Sequence, residues 1–380
     1  MISSLLRLNL IAVVLSFSLG QLVRIQVTSV LAVYPHDALT LSYLLLFIVE
    51  LIKSKTFKID VGIYHRWLAL LSLWFILSLI LNFHRFGFED SLIGSLYLLR
   101  WLGLASIFPV TFYAIKKKIF RLDVRLLLCW SSIFGLFLGV LQYLFLPDTR
   151  ILYTFGWDDH LYRLIGVFFD PGFTGLMFVL GFILISFRKK LQWLRPLFII
   201  GTMLTYSRAS IVALVVAIVL TAVPEKKYLS MLQALILVGF IFISLPTTAG
   251  EGVNLARTYS VESRISSSLS GVDIFKSSPI YGIGFNNYRN LLGGQKVIPS
   301  HTSAPDNSYV FLLATTGIIG LVLFVGGLFR FAQIGWKSDP VLSISIATIS
   351  LHSLFNNSWF YVFVLIWFWL LLASTKVKKE

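Results

Sequence analysis

The chain of 380 residues is 57% hydrophobic and 13% charged, with a mean hydropathy of +0.85. Soluble globular domains carry about 25% charged residues, so this composition excludes that class and leaves no room for a sizeable soluble domain. The net charge of +15 would suggest nucleic acid as the partner of a soluble protein; in so apolar a chain it reflects the Lys and Arg that membrane proteins collect in cytoplasmic loops, and no nucleic-acid partner is expected.

Apolar stretches of bilayer-crossing length recur from end to end. They predict spans near 8–30, 38–53, 66–83, 91–115, 124–146, 166–187, 195–206, 208–223, 228–245, 308–329, 340–354 and 357–375. The expected fold is therefore all-α: one integral membrane domain over residues 1–380, with about 12 transmembrane helices. The first span is read as a retained helix rather than a signal peptide cut near Ser18. Cys129, the single cysteine, lies inside the fifth span, which rules out an intrachain disulfide. Division between 195–206 and 208–223 is the weakest, because only Ser207 and Arg208 separate two short halves.

Charge fixes the orientation. With the N-terminus inside, 21 of the 32 Lys and Arg residues fall in cytoplasmic segments and nine outside, while Arg24 and Arg100 lie within spans. Every cytoplasmic loop is basic, so the positive-inside rule places both termini in the cytoplasm. The cytoplasmic set has 14 Lys and seven Arg, whereas the outer set has seven Arg and two Lys. Lys suffices to anchor a loop, but Arg supplies the planar fork that recognises phosphate, so the asymmetry hints at a phosphate-bearing ligand outside. One outer loop is long, from Pro246 to Pro305, between the ninth and tenth spans. Long ordered loops in compact proteins are usually functional.

Ionisable groups at membrane depth are expensive and are candidates for function by default. Arg100, in mid-span, is expected to pair with another helix. Arg163 and Asp170, in YRLIGVFFDPGFTG, read either as a structural ion pair or as ligand-binding groups. Arg208, in TYSRAS, either snorkels to the interface or faces a ligand. The long loop adds Glu262 and Arg264 in ESRISSS, then YGIGFNNY, whose Gly282 and Gly284 permit positive φ and close backbone approach. His301 and Asp306 stand before the tenth span, where Asp306 and Asn307 are also suited to capping a helix.

Together these elements resemble the bacterial O-antigen ligase and polymerase superfamily over roughly Arg150 to Gly320. Arg163 with Gly166 and Asp170-Pro171 is similar to the family's Arg-x-x-Gly segment. Ser207-Arg208 resembles its Ser-Arg-Gly turn, with Ala209 in place of the glycine. Arg264 and Pro279–Gly284 look like parts of its large periplasmic loop, and Asn307 with Gly317 and Gly320 like the helix after it. In one respect the chain departs from the ligases, which carry a His before the position of Asn307; here that residue is Asp306, and the nearest His is His301. The departure favours a polymerase or another branch.

The resemblance implies a bacterial inner-membrane glycosyltransferase that polymerises or transfers an undecaprenyl-diphosphate-linked glycan on the periplasmic face, by an inverting reaction needing neither metal nor cofactor. It also implies a glycan or lipid acceptor and a chain-length regulator protein as partners. Arg163, Arg208 and Arg264 are the candidates for stabilising the leaving diphosphate, since guanidinium forks in a low-dielectric site offset developing negative charge. His301 and Asp306 are the candidate catalytic bases for the attacking hydroxyl. An O-antigen ligase acting on lipid A core is one alternative, and a flippase or permease for lipid-linked glycans is another. A metal-dependent transferase would need a third ligand beside Asp158-Asp159.

Overall fold

Apolar residues follow one another with few breaks, and in that setting backbone polar groups must be satisfied within the segment, which favours helix. A computed structural model describes residues 2–28, 31–54, 62–246, 251–255, 258–291 and 304–375. It is nearly all-α. In chain order the helices are α1 (Ile2–Leu19), α2 (Pro35–Ser54), α3 (Ile63–Leu81), α4 (Phe88–Lys116), α5 (Val124–Phe145), α6 (Pro171–Ser186), α7 (Arg195–Met203), α8 (Arg208–Glu225), α9 (Tyr228–Ser244), α10 (Tyr259–Ser277), α11 (Tyr288–Leu291), α12 (Ser308–Ser338), α13 (Pro340–His352) and α14 (Val362–Ala373). A two-stranded hairpin pairs Ile25–Gln26 with Ala32–Val33.

Among the described residues, six segments are long and apolar enough to cross a membrane: Ile2–Val23, Ile63–Arg85, Phe88–Lys116, Val124–Phe145, Arg208–Glu225 and Ser308–Ser338. α6, α9, α13 and α14 are apolar but shorter. At nine residues, α7 rises only about 14 Å, half a bilayer core.

Two helices form the centre. From Pro171 to Ser186, α6 buries all but Phe173, and α14 is buried from Phe363 onwards. A helix apolar on every side belongs inside a bundle, and these two are packed by α4, α5, α7, α8 and α13. Lone charges in the bundle are paired as the cost of burial requires. Arg100 on α4 makes a two-pronged contact with Asp37 on α2, Nε to Oδ1 at 2.9 Å and Nη2 to Oδ2 at 2.8 Å, the helix-partner role expected for it.

The first span differs from expectation. Its α-helix ends at Leu19 and its apolar segment at Val23 rather than near residue 30; Gly20 turns to a φ of +58°, where a Cβ would strike the Val167 carbonyl. Arg24 consequently lies beyond α1, not within a span, with its guanidinium 4.8 Å from the Trp157 ring.

α12 is broken in its interior. Gly317 has φ 68° and ψ −171°, and its neighbours' amide and carbonyl groups are taken over by the segment 279–283. Ile318 N–H donates to Pro279 O at 2.9 Å, and Ile283 N–H donates to Ala314 O at 3.0 Å. Ser78 Oγ on α3 contacts the carbonyls of Tyr281 at 2.8 Å and Thr315 at 2.9 Å. Irregular backbone within an apolar bundle requires such replacement partners. Gly282, at φ +69°, packs directly on the Thr315–Thr316 peptide, and Gly317 on the Ile280 carbonyl; a Cβ at either would collide with backbone. Gly282, and Gly284 at φ +97°, thus have the positive φ that their sequence context suggested.

Candidate active site

Four helix ends meet at one end of the bundle: the N-termini of α6, α8 and α12 and the C-terminus of α13. Each N-terminus carries its own cap. Asp170 accepts from Phe173 N at 2.7 Å, Ser207 Oγ from Ser210 N at 3.3 Å, and Asn307 Oδ1 from Tyr309 N at 2.9 Å and Val310 N at 3.2 Å. α10 lies across this end and packs along α12.

Arg163 is buried at the α7–α8 junction, where Nε donates to Thr205 O at 3.0 Å and Nη2 reaches Tyr206 O at 3.4 Å. These partners replace the Arg163–Asp170 ion pair considered from sequence, and Asp170 serves as the α6 cap. Arg208 opens α8 and reaches α10, with Nη2 donating to Ser260 Oγ at 2.8 Å and Nη1 to Leu255 O at 3.3 Å. Arg264, one turn further along α10, places Nη2 3.3 Å from Asn356 Oδ1. The charges of Arg208 and Arg264 lie near enough to act on each other. The structure therefore brings Arg208 and Arg264 together at α10, with Arg163 supporting the turn from which Arg208 emerges.

The backbone beside these residues is strained. Tyr162, Phe169 and Tyr206 have φ of 54°, 56° and 51°, a left-handed conformation that bulky residues seldom adopt. Each stands immediately before Arg163, Asp170 or the Ser207-Arg208 pair. Such conformations persist only where the surroundings hold them, and they collect at functional sites.

Asp306 lies just outside the α12 cap. Its N–H contacts Ser267 Oγ at 3.3 Å, and Ser267 is three residues after Arg264, on the same side of α10. Nearby Tyr288 donates to Ser267 O at 3.3 Å, and burial, with the Asp306 charge adding, pushes its phenol up to about 12. Capping thus falls to Asn307, and the Asp306 carboxylate is not needed for it. His301 lies outside the described residues. Asp158 and Asp159 sit on the turn before Tyr162, and among the described residues no three of His, Cys, Asp and Glu cluster as a metal site would require.

The oxygens around the described arginines are of two kinds. Arg100, Arg125, Arg150 and Arg188 each meet a carboxylate, of Asp37, Asp339, Asp148 and Asp123 respectively. In their described contacts Arg163, Arg195, Arg208 and Arg264 meet hydroxyl, carbonyl or amide oxygens instead. A neutral acceptor orients a guanidinium without neutralising it, as the Asn356 amide does for Arg264.

Sequence reasoning missed Asn356 and His352, which pack behind Arg264. The available signal was the polar run HSLFNNS between two apolar stretches, which carries a histidine and two amides where a plain turn needs none.

No curated protein matches the chain. Residues 196–325 match the family model described as O-antigen ligase, an interval that contains Arg208, Arg264, Asp306, Gly317 and Gly320 and leaves Arg163 and Asn356 outside. That match supports the assignment of the chain to the O-antigen ligase and polymerase superfamily.

Proposed function

We propose that the protein transfers a glycan from a polyprenyl diphosphate carrier to a sugar hydroxyl, at the periplasmic face of a bacterial inner membrane, and that it acts as a polymerase. The proximity of Arg208 and Arg264, one opening α8 and one on α10, both within the interval that matches the family, is the observation that carries this reading. The family match supports a role in glycan polymerisation or ligation. The finer assignment rests on charge: 21 of 32 basic residues fall on the side read as cytoplasmic, and the Arg208 end lies opposite.

In the reaction, the acceptor hydroxyl attacks the anomeric carbon, the bond from that carbon to the diphosphate breaks, and configuration inverts. The hydroxyl proton passes to the base, His301 or Asp306. The bonding pair leaves with the diphosphate, whose growing charge Arg208 and Arg264 offset. A diphosphate is already a good leaving group, so no strong general acid is required. Arg163 holds the turn that aims Arg208. Asp306 at the position where the resemblance gives ligases a His favours polymerase; the description of the matched family keeps transfer to a lipid acceptor as the second reading.

Purified protein in proteoliposomes, supplied with lipid-diphosphate oligosaccharide, EDTA and no ion gradient, tests this proposal. Lengthened glycan and free lipid diphosphate are expected. Movement of intact donor across the bilayer without bond cleavage would identify a flippase instead.

A further inference from the structure

Behind Arg264 lies a buried polar chain that crosses three helices. His352, at the end of α13, is fully buried. Its Nδ1 lies 2.7 Å from Ser358 Oγ, and its Nε2 lies 3.2 Å from Ser210 Oγ and 3.5 Å from Asn356 Nδ2. Ser210, on α8, contacts Gly172 O on α6 at 2.9 Å. Asn356 is fixed through its backbone as well, its N–H donating to His352 O at 3.1 Å. Gly172 gives the amide room: a Cβ there would meet Asp170 Oδ1 at 3.1 Å and both Asn356 side-chain atoms at 3.5 Å.

Donor and acceptor chemistry orients the amide. A guanidinium only donates, so the Asn356 oxygen must face Arg264 and its NH2 must face the imidazole. The imidazole meets a hydroxyl on either side, Ser358 Oγ at Nδ1 and Ser210 Oγ at Nε2, so it is hydrogen-bonded in either neutral tautomer. Arg264 is thus met by a buried and uncharged partner. Among the described residues, no Asp or Glu forms an ion pair with Arg264.

The geometry points to Asn356, locked by His352, as a positioning residue that aims Arg264 at a diphosphate without neutralising it. The inference rests on the functional reading given above, and it explains why an amide stands where a carboxylate of equal size would hold the arginine more tightly. A carboxylate there would satisfy the guanidinium permanently and compete with the ligand for it. Removing the amide would keep the charge and lose its aim.

Asn356→Asp, Asn356→Ala and Arg264→Ala, with accumulation and thermal stability measured in detergent, separate the possibilities. Farnesyl diphosphate serves as a competitive probe of the transfer reaction. Asn356→Asp should weaken inhibition by the probe and raise donor KM, each by roughly tenfold or more, in protein that still accumulates. Asn356→Ala should act mainly on kcat, since the charge stays and its orientation is lost. A purely structural role would let the isosteric Asp variant bind the probe normally. If Arg264→Ala loses the probe while Asn356→Asp keeps it, or if Asn356→Ala turns over at the native rate, the positioning role is overturned and the diphosphate site stands. If Arg264→Ala binds the probe as tightly as the native protein, the diphosphate site falls, and the positioning role with it.

Discussion

Ile318 donates its backbone N–H to the carbonyl of Pro279 at 2.9 Å, so a residue of the long interhelical segment supplies the acceptor that a break in α12 removed. The contact fixes the segment carrying α10, and hence Arg264, relative to the bundle.

Gly317→Ala should therefore be severe. A side chain at φ 68° costs about 1 kcal/mol or more, and the new Cβ would also strike the Ile280 carbonyl. Gly326, on the same helix, has nothing within 4 Å of a built Cβ, and Gly→Ala in a regular helix gains up to about 1 kcal/mol. Thermal unfolding in detergent should show Gly317→Ala strongly destabilised and Gly326→Ala at or above the native value. Equal tolerance of both would contradict the interlocked break.

Arg163 and Arg208 should fail in different ways. Arg163→Ala removes the donor to the buried Thr205 carbonyl, and an unsatisfied buried group costs about 1–3 kcal/mol. It should lower stability and activity together. Arg208→Ala should lower activity at near-native stability. A stable, inactive Arg163→Ala would move that residue from support to direct contact with substrate.

The helical architecture was legible because hydropathy and helix length act locally. What hydropathy could not reveal was the break at Gly317, since the apolar run over 308–329 is continuous and the partners of the break lie about 35 residues earlier. Likewise α1 ends at Leu19 where Gly20 packs against Val167, a contact that no local pattern encodes. Arg208 stood out as a charge in an apolar setting, and Arg264 as the arginine of ESRISSS in the long outer loop. Asn356 was not, because an uncharged amide after a helix end reads as a turn until the fold sets it against Arg264.

The base can be assigned by substitution and pH. An imidazole titrates at about 6.5, near the working pH, whereas an aspartate at about 3.9 is a weak base. His301→Ala should abolish polymer formation. Asp306→Asn should retain measurable activity, because Asn307 carries the α12 cap. With His301 as base, kcat/KM rises as pH rises through about 6.5, where the imidazole loses its proton. Full activity in His301→Ala together with an inactive Asp306→Asn would reverse the assignment, and two active variants would place the base elsewhere.

The central claim is that Arg208 and Arg264 grip the diphosphate through forked donors, and the most direct test is exchange of each for lysine. Lys keeps the charge but cannot present two parallel N–H groups to a pair of phosphate oxygens. In cells lacking the native gene, Arg208→Lys and Arg264→Lys should each insert and accumulate normally while losing most glycan chain formation. Near-native chains from both variants would contradict the account.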